Sequence, residues 1–206
     1  MINITDKSQC CGCSACSQIC PKKCITMKVD DEGFEYPLVN SSQCVECGLC
    51  KNSCPILNKY SRKNNLLESY IAYANENNIR LKSSSGGIFS LLAEEILNKD
   101  GIIFGAAFNN DFLVHHVLID NLENLYKLRG SKYIQSRIED TFMKAKQFLE
   151  QGRYVLFSGT SCQIAGLKKY LAKDYEKLYT VGVLCHGAPS PKVWEEYKKY
   201  QIQQGN

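Results

Sequence analysis

Residues 10–21, CCGCSACSQICP, and residues 44–55, CVECGLCKNSCP, repeat one pattern of cysteines. In each stretch three cysteines are separated by gaps of two residues, a fourth follows after three more residues, and a proline comes next. Every cysteine of the second stretch lies 34 positions after its counterpart in the first. Ten of the twelve cysteines precede Pro55, so this repeat decides the fold of the N-terminal part of the chain.

The spacing is typical of a two-cluster bacterial ferredoxin, in which the fourth cysteine of each run binds the other cluster. It predicts one 4Fe–4S cluster on Cys10, Cys13, Cys16 and Cys54, and a second on Cys44, Cys47, Cys50 and Cys20. Zinc is the main alternative, but zinc sites usually split into two cysteine pairs separated by about a dozen or more residues. Disulfides are disfavoured because the N-terminus has no apolar segment of a signal peptide.

The predicted clusters imply a reducing, anaerobic cytoplasm, because thiolates and iron–sulfur clusters oxidise readily. No apolar run approaches the roughly 18 residues that a membrane span needs. The formal net charge is +4, and two oxidised clusters with their thiolates would bring it to about zero. Lysine pairs at 22–23, 168–169 and 198–199 are dispersed along the sequence and are interpreted as solvated surface, so nothing predicts nucleic-acid binding.

The chain divides into two parts of different character. Residues 1–57 predict an α+β ferredoxin-like domain with a hairpin formed by Ile25–Val29 and Phe34–Val39. Residues 58–68 are polar and without periodicity, which is typical of a linker. From residue 69 to residue 206 strands and helices alternate, which predicts an α/β domain with a mixed sheet and flanking helices.

The elements of this second domain follow from hydrophobic periodicity. Strands are predicted at 70–74, 102–108, 113–119, 154–157 and 178–184, and helices at 88–99, 137–151, 163–171 and 191–203. Ser190 is the expected N-cap of the last helix, with Pro191 at its first position.

Two strand–helix junctions carry groups that suit an anionic cofactor. Ser83-Ser84-Ser85-Gly86-Gly87 opens the helix at residue 88, and hydroxyls with free backbone N–H groups at a helix N-terminus bind anions. An ordinary N-cap explains the same residues equally well. The strand ending at Phe157 leads through Gly159-Thr160-Ser161-Cys162-Gln163 into a helix, where Cys162 is expected to have a lowered pKa. A plain turn with a buried cysteine remains the simpler interpretation of that pattern.

Four sequence blocks together resemble the coenzyme F420 hydrogenase/dehydrogenase beta-subunit family. They are Ser84–Gly87, the stretch GSKYIQS at 130–136, the stretch GTSCQIAGL at 159–167 and the stretch CHGAPSP at 185–191. The resemblance covers essentially the whole chain and implies a flavin-binding-like α/β domain that holds FAD. The residues it implies for the flavin site are Ser83, Ser84, Ser85, Gly86, Gly87, Gly130, Ser131, Gly159, Thr160, Cys162 and Gln163.

The chain departs from the family pattern in two places. Ser161 stands where members often have proline, and the chain ends at Asn206, before the family domain usually ends. We therefore expect part of the flavin or substrate pocket to be missing. The resemblance also implies that Cys162 and Cys185 ligate a further cluster, with help from Cys11 or Cys24.

The leading hypothesis is an iron–sulfur flavoprotein oxidoreductase that passes electrons between two 4Fe–4S clusters and FAD, and on to a hydride carrier or small molecule. Its partners would be a redox protein or subunit and, as in archaeal members, a deazaflavin-type acceptor. The alternative is a ferredoxin-type electron-transfer module without flavin. A third hypothesis, thiol catalysis by Cys162 with His186 as base, ranks below both. No acid–base pair can be named from the sequence.

Overall fold

A computed structural model describes residues 1–58 and 68–205. In the N-terminal part each cysteine run supplies one single-turn helix, and a hairpin lies between them in the chain. The helices are α1 (Ala15–Gln18) and α2 (Leu49–Asn52), and the strands are β1 (Ile25–Val29) and β2 (Glu35–Val39). The strands pair antiparallel with Ile25 opposite Val39, which confirms the predicted hairpin.

The rest of the described chain is a mixed sheet with flanking helices, as predicted. Its elements are α3 (Asn77–Leu81), α4 (Ile88–Asn98), β3 (Ile102–Phe108), β4 (Val114–Ile119), a 3₁₀ segment (Leu122–Leu128), α5 (Thr141–Glu150), β5 (Val155–Thr160), α6 (Ser161–Leu171), β6 (Leu178–Val183) and α7 (Pro191–Gln203). The strand order is β4-β3-β5-β6. The β3–β4 pair is antiparallel, whereas β3–β5 and β5–β6 are parallel. The parallel strands therefore end at one edge of the sheet.

Alternate residues of β3 face two separate cores. Ile102 and Phe104 pack with residues of α5 and α6, whereas Ile103 and Ala107 pack with residues of α4 and the 3₁₀ segment. This period of two, with both faces apolar, is why the strand forms in the middle of the sheet and is covered on both sides.

The N-terminal part packs directly against the α5–α6 face of the sheet. Ala15 of α1 and Cys13 belong to the same buried core as Phe142 and Phe157. The side chain of Gln18 accepts backbone N–H groups at the start of α5, from Phe142 at 3.0 Å. A side chain from one part of the chain thus satisfies the helix N-terminus of the other.

One predicted strand is absent and one predicted helix begins four residues later than expected, each for an identifiable reason. Residues 70–74 form no strand, and Ala74 instead donates its N–H to the carbonyl of Gly86 at 2.7 Å. The helix predicted from 137 begins at Thr141, because the N–H and carbonyl of Arg137 pair with β4 at the sheet edge. Ser190 does cap α7, since its Oγ accepts the N–H of Val193.

Residues 59–67 of the linker predicted at 58–68 lie outside the described residues. None of the helices in the described ranges is long and apolar enough to cross a membrane.

Candidate functional site

The cysteines predicted to hold the first cluster lie against the core. Cys16 interacts electrostatically with both Cys10 and Cys54, and Cys13 is buried between α1 and α6. Burial raises the pKa of Cys16 to about 12 and also raises the pKa of Cys10. Thiols become thiolates when they bind a metal, and cysteine thiolates are the ligands of 4Fe–4S clusters, so the residue types suit a cluster. Among the described residues, however, no three of these side chains converge as a metal site.

The cysteines predicted to hold the second cluster lie nearer the surface. Cys20 and Cys44 both interact with the thiol of Cys24, whose Sγ is 3.4 Å from the Sγ of Cys20. Cys47 is exposed, and Cys50 accepts the backbone N–H of Ile2 at 3.2 Å. The two sets adjoin each other, because Cys16 also interacts electrostatically with Cys50.

Backbone N–H groups surround the thiol of Cys20. Burial acts to raise its pKa, yet the N–H groups of Cys24, Lys22 and Lys23 hold the pKa below its ordinary value. The hydrogen bond with Cys20, by contrast, raises the pKa of Cys24 to about 11. Donors directed at a sulfur stabilise the thiolate form that an iron–sulfur cluster requires.

A cavity of about 910 Å³ lies where the parallel strands end, at the junction of the two parts of the chain. Its size is at the upper end of the range of about 300–1,000 Å³ that is usual for ligand and cofactor sites. Every one of the eleven residues predicted for the flavin site lines it: Ser83, Ser84, Ser85, Gly86, Gly87, Gly130, Ser131, Gly159, Thr160, Cys162 and Gln163. Cys10 lines the same cavity, and so do Cys185 and His186 of the CHGAPSP stretch at 185–191.

The serine–glycine loop at the start of α4 is partly used to hold itself in place. Ser83 donates its hydroxyl to the carbonyl of Ile79 at 2.8 Å, and Ser84 accepts the N–H of Ser131 at 2.9 Å. Gly86 lies so close to the preceding chain that a Cβ there would stand 2.6 Å from the carbonyl oxygen of Ala72. Gly87 caps α4 with a positive φ of 81° and supplies no side-chain bond, so the helix N-terminus faces the cavity with backbone groups alone.

A buried histidine that the sequence did not predict lies at the wall of this cavity. His116 of β4 hydrogen-bonds to the hydroxyl of Ser136 and, at 2.9 Å, to the carbonyl of Ser158, and its ring stacks on Phe157. Burial lowers its pKa to about 4, so the ring is neutral near pH 7. Because the carbonyl can only accept, Nε2 carries the proton and Nδ1 accepts from Ser136.

This histidine is part of a network that fixes the turn between β5 and α6. The side-chain amide of Gln163 donates to the backbone carbonyl of Ser136 at 3.4 Å, and its oxygen accepts the N–H of Thr160 at 2.9 Å. The network therefore joins β4, the loop at 130–136 and the turn at 158–163. A histidine within an apolar strand gave no sequence signal, because its partners are 20 and 42 residues away.

A second missed residue is Lys132, which brings a positive charge to the cavity. Its Nζ donates to the carbonyls of Lys127 at 3.0 Å and Arg129 at 2.9 Å. Burial lowers its pKa to about 8. No carboxylate of the described residues forms an ion pair with it, so its charge is available to an anion in the cavity.

Of the remaining cysteines, three line the cavity and one lies with the second cysteine set. Cys11 and Cys162 hydrogen-bond to each other beside Cys13, and both line the cavity. That bond raises the pKa of Cys162, so the lowered pKa expected from the sequence was wrong. Cys185 also lines the cavity, whereas Cys24 lies with Cys20 and Cys44. A thiol with a raised pKa is a poor nucleophile, which argues against thiol catalysis by Cys162.

An α/β domain that follows a cysteine-rich iron–sulfur unit, with a cofactor-sized cavity between them, defines an iron–sulfur electron-transfer protein. The comparisons with known proteins agree. Residues 9–57 match the 4Fe-4S dicluster domain, residues 69–141 match the N-terminus of the coenzyme F420 hydrogenase/dehydrogenase beta subunit, and residues 152–205 match its C terminus. The chain belongs to the coenzyme F420 hydrogenase/dehydrogenase beta-subunit family.

Among solved structures the chain is similar to a chain of the F420-reducing NiFe hydrogenase complex from Methanosarcina barkeri. The two share 22% sequence identity with a TM-score of 0.49, over 63% of this chain and 49% of that one. This protein thus spans about half the length of that hydrogenase chain. A search of curated proteins found no match.

Proposed function

We propose that this protein is an iron–sulfur flavoprotein oxidoreductase that passes electrons between two 4Fe–4S clusters and FAD, and on to a hydride carrier or another small molecule. The observation that carries the proposal is the position of Cys10. It belongs to the first cysteine set and also lines the cavity formed by the serine–glycine loops. A redox group held by that set and a ligand in the cavity would therefore be neighbours.

Each cluster would be held by three cysteines of one run and the fourth of the other. The proposed ligand sets are Cys10, Cys13, Cys16 and Cys54, and Cys44, Cys47, Cys50 and Cys20. The proximity of Cys16 to Cys54 supports this exchange of the fourth ligand between the runs. When bound, the clusters would supply one-electron transfer and FAD would supply the conversion to hydride chemistry.

The chain's own groups suit an anionic, partly apolar cofactor in the cavity. The α4 N-terminus presents backbone N–H groups to the cavity at Gly87, and such groups bind phosphates. At α6 the N–H groups of Thr160 and Gln163 already have partners in the capping box of that helix. Lys132 adds a positive charge that no carboxylate in the described part of the chain neutralises. The neutral ring of His116 holds the turn in one geometry through Ser158. Together these groups bind and orient, and none of them needs to move a proton.

The alternative is an electron-transfer module that binds no flavin. One observation favours it: the hydroxyls of Ser83 and Ser84 already have partners within the protein, at Ile79 and Ser131. These contacts would give the loop a structural role without any ligand.

Cofactor analysis separates the two functions. The protein is purified or reconstituted without oxygen, and iron, sulfide and heat-released flavin are measured per chain. Two clusters of the 4Fe–4S type predict about eight iron atoms, and the oxidoreductase predicts about one FAD as well. The same iron content without flavin would establish the electron-transfer module, and a colourless zinc protein would overturn both.

Two neighbouring cysteines provide a matched test of the ligand sets. Cys20→Ser removes a proposed ligand of the second cluster, whereas Cys24→Ser removes a thiol only 3.4 Å away that is not a proposed ligand. We expect Cys20→Ser to lose about four iron atoms and Cys24→Ser to keep all of them. Iron loss from Cys24→Ser alone would show that the assignment of the second set is wrong.

A further inference from the structure

Cys24 belongs to neither proposed ligand set, yet it lies among the cysteines of the second one. A small depression is lined by Cys24 and by all four cysteines of that set, Cys20, Cys44, Cys47 and Cys50. The Sγ of Cys24 is 3.4 Å from the Sγ of Cys20, and its thiol also hydrogen-bonds to that of Cys44. It therefore contacts one proposed ligand from each cysteine run.

The position of Cys24 is fixed by contacts that do not involve its thiol proton. Its backbone carbonyl accepts the N–H of Asn40 at 2.8 Å, and β1 begins at the next residue. Its side chain is 4% exposed and packs in the small core of the N-terminal part with Ile2 and Ile25. We therefore expect its sulfur to stay beside Cys20 when the second set binds a cluster.

The ligand role of Cys20 decides which of the two sulfurs donates. Between two thiols either sulfur could be the donor. A cysteine that ligates iron is a thiolate without a proton, so Cys24 must then donate and Cys20 must accept. The backbone N–H groups of Lys22, Lys23 and Cys24 also donate to the thiol of Cys20. The thiol of Cys24 thus adds a side-chain donor to the backbone donors around one ligand atom.

A hydrogen bond to a ligand sulfur acts on the reduction potential of the cluster. One-electron reduction adds a negative charge to the cluster and its sulfurs, and a donor stabilises the more negative state more strongly. Burial strengthens the effect, because little water competes for the donor in a medium of low dielectric constant. The side chain of Cys24 is buried, so its thiol favours the reduced form.

We propose that Cys24 is a positioning residue that acts through Cys20: its thiol donates a hydrogen bond to the Cys20 sulfur and raises the reduction potential of the second cluster. The proposal rests on the proposed function, since it requires the second set to bind a 4Fe–4S cluster. In the step concerned, one electron passes from a one-electron reductant to the oxidised cluster. The reductant is oxidised by one electron, no covalent bond forms or breaks, and the proton stays on Cys24.

Three substitutions separate hydrogen-bond donation from packing. Cys24→Ala removes the donor, Cys24→Ser replaces it with a hydroxyl, and Ser53→Ala is the control. Ser53 is also buried in the N-terminal part, but its hydroxyl donates to the backbone carbonyl of Cys50 at 3.2 Å and not to a sulfur. Each holoprotein is titrated potentiometrically with dithionite without oxygen, and iron per chain and electron paramagnetic resonance signals are measured. The reduction step that is missing from Cys20→Ser identifies the second cluster.

We expect Cys24→Ala to keep about eight iron atoms per chain and to lower the reduction potential of the second cluster. At a fixed potential the ratio of reduced to oxidised second cluster should fall at least about threefold, which is about 28 mV at about 59 mV per tenfold change. Cys24→Ser should keep the wild-type ratio or shift it towards the reduced form. Ser53→Ala should change little, and the potential of the first cluster should stay the same in all variants.

An unchanged potential in Cys24→Ala, or an equal shift in Cys24→Ala and Ser53→Ala, would overturn the proposal. So would an equal fall in Cys24→Ala and Cys24→Ser, because the proton of the side chain would then not matter. Loss of about four iron atoms from Cys24→Ala would make Cys24 a ligand and would overturn it too. Failure of the proposed function is seen separately, in a dithionite-reduced wild-type protein without 4Fe–4S electron paramagnetic resonance signals.

Discussion

Acidification should destabilise this protein through His116 at a pH well above the pKa of the folded side chain. The ring is 4% exposed, hydrogen-bonds to Ser136 and Ser158, and has its pKa lowered by burial from 6.5 to about 4. The unfolded chain therefore takes up a proton as the pH falls through about 6.5, whereas the folded chain does not until about 4. The contribution of the neutral His116 ring to the free energy of unfolding is therefore present above pH 6.5 and is lost as the pH falls towards 4.

The size of the effect follows from these two values. Between about pH 7.5 and about pH 5.5 the difference in proton binding amounts to about 1.3 kcal/mol of unfolding free energy. For a chain of 206 residues this corresponds to a fall of about 3–5 °C in the melting temperature.

The assay compares melting temperatures of the holoprotein at the two pH values, without oxygen, for wild type and two variants. His116→Phe keeps the stack on Phe157 and removes the titrating group. It should be less stable at about pH 7.5, by about 1–3 kcal/mol, because the carbonyl of Ser158 loses its donor. Its melting temperature should also lack the part of the fall on acidification that His116 causes in wild type.

The neighbouring histidine is the control for other titrating groups. His115→Gln changes a side chain that pairs with Glu139 and leaves the His116 network intact. The melting temperature of this variant should fall between the two pH values as much as that of wild type. If His116→Phe loses as much stability between the two pH values as wild type does, the burial argument is refuted.

Two glycine substitutions test the geometry of the site. Gly166→Ala places a Cβ 3.0 Å from both Cβ and Sγ of Cys13, so we expect the iron content per chain to fall through loss of the first cluster. This loss should occur although alanine stabilises a helix by about 1 kcal/mol relative to glycine. An unchanged iron content with a higher melting temperature would contradict this expectation. Gly86→Ala places a Cβ 2.6 Å from the carbonyl of Ala72 and should weaken flavin retention at least about tenfold, since a backbone shift must follow. Gly182→Ala meets no atom within 4 Å and should retain flavin like wild type, and equal retention by both variants would exclude a role of the loop geometry.

The strands and longer helices were predictable because each carries its own hydrophobic period. Ile102–Phe108 and Pro191–Gln203 begin and end where the sequence places them. The prediction failed at Arg137 because a pairing with β4 competes with the helix, and at Tyr70–Ala74 because an apolar, aromatic stretch can also lie against a loop. Neither competitor is adjacent in sequence, so no local pattern could indicate it.

The residues predicted for the flavin site line one cavity, whereas two residues that shape its wall were not predicted. The loops at 83–87 and 159–163 were found because glycine and serine at a helix start have a local reason to be there. His116 and Lys132 were missed because their roles depend on burial and on distant partners.

The sequence by itself determined the iron–sulfur character of this protein, since the spacing of cysteines within one run and the 34-residue offset between runs are properties of the chain alone. Only the tertiary structure decided that the first cysteine set adjoins the cavity and that the second lies nearer the solvent. Cys10 reaches the cavity because α1 packs against α5 and α6, and Cys47 remains at the surface. The physical reason is that ligand spacing is a local constraint, whereas the burial of a cysteine and the position of Cys10 at the cavity arise only when distant segments pack together.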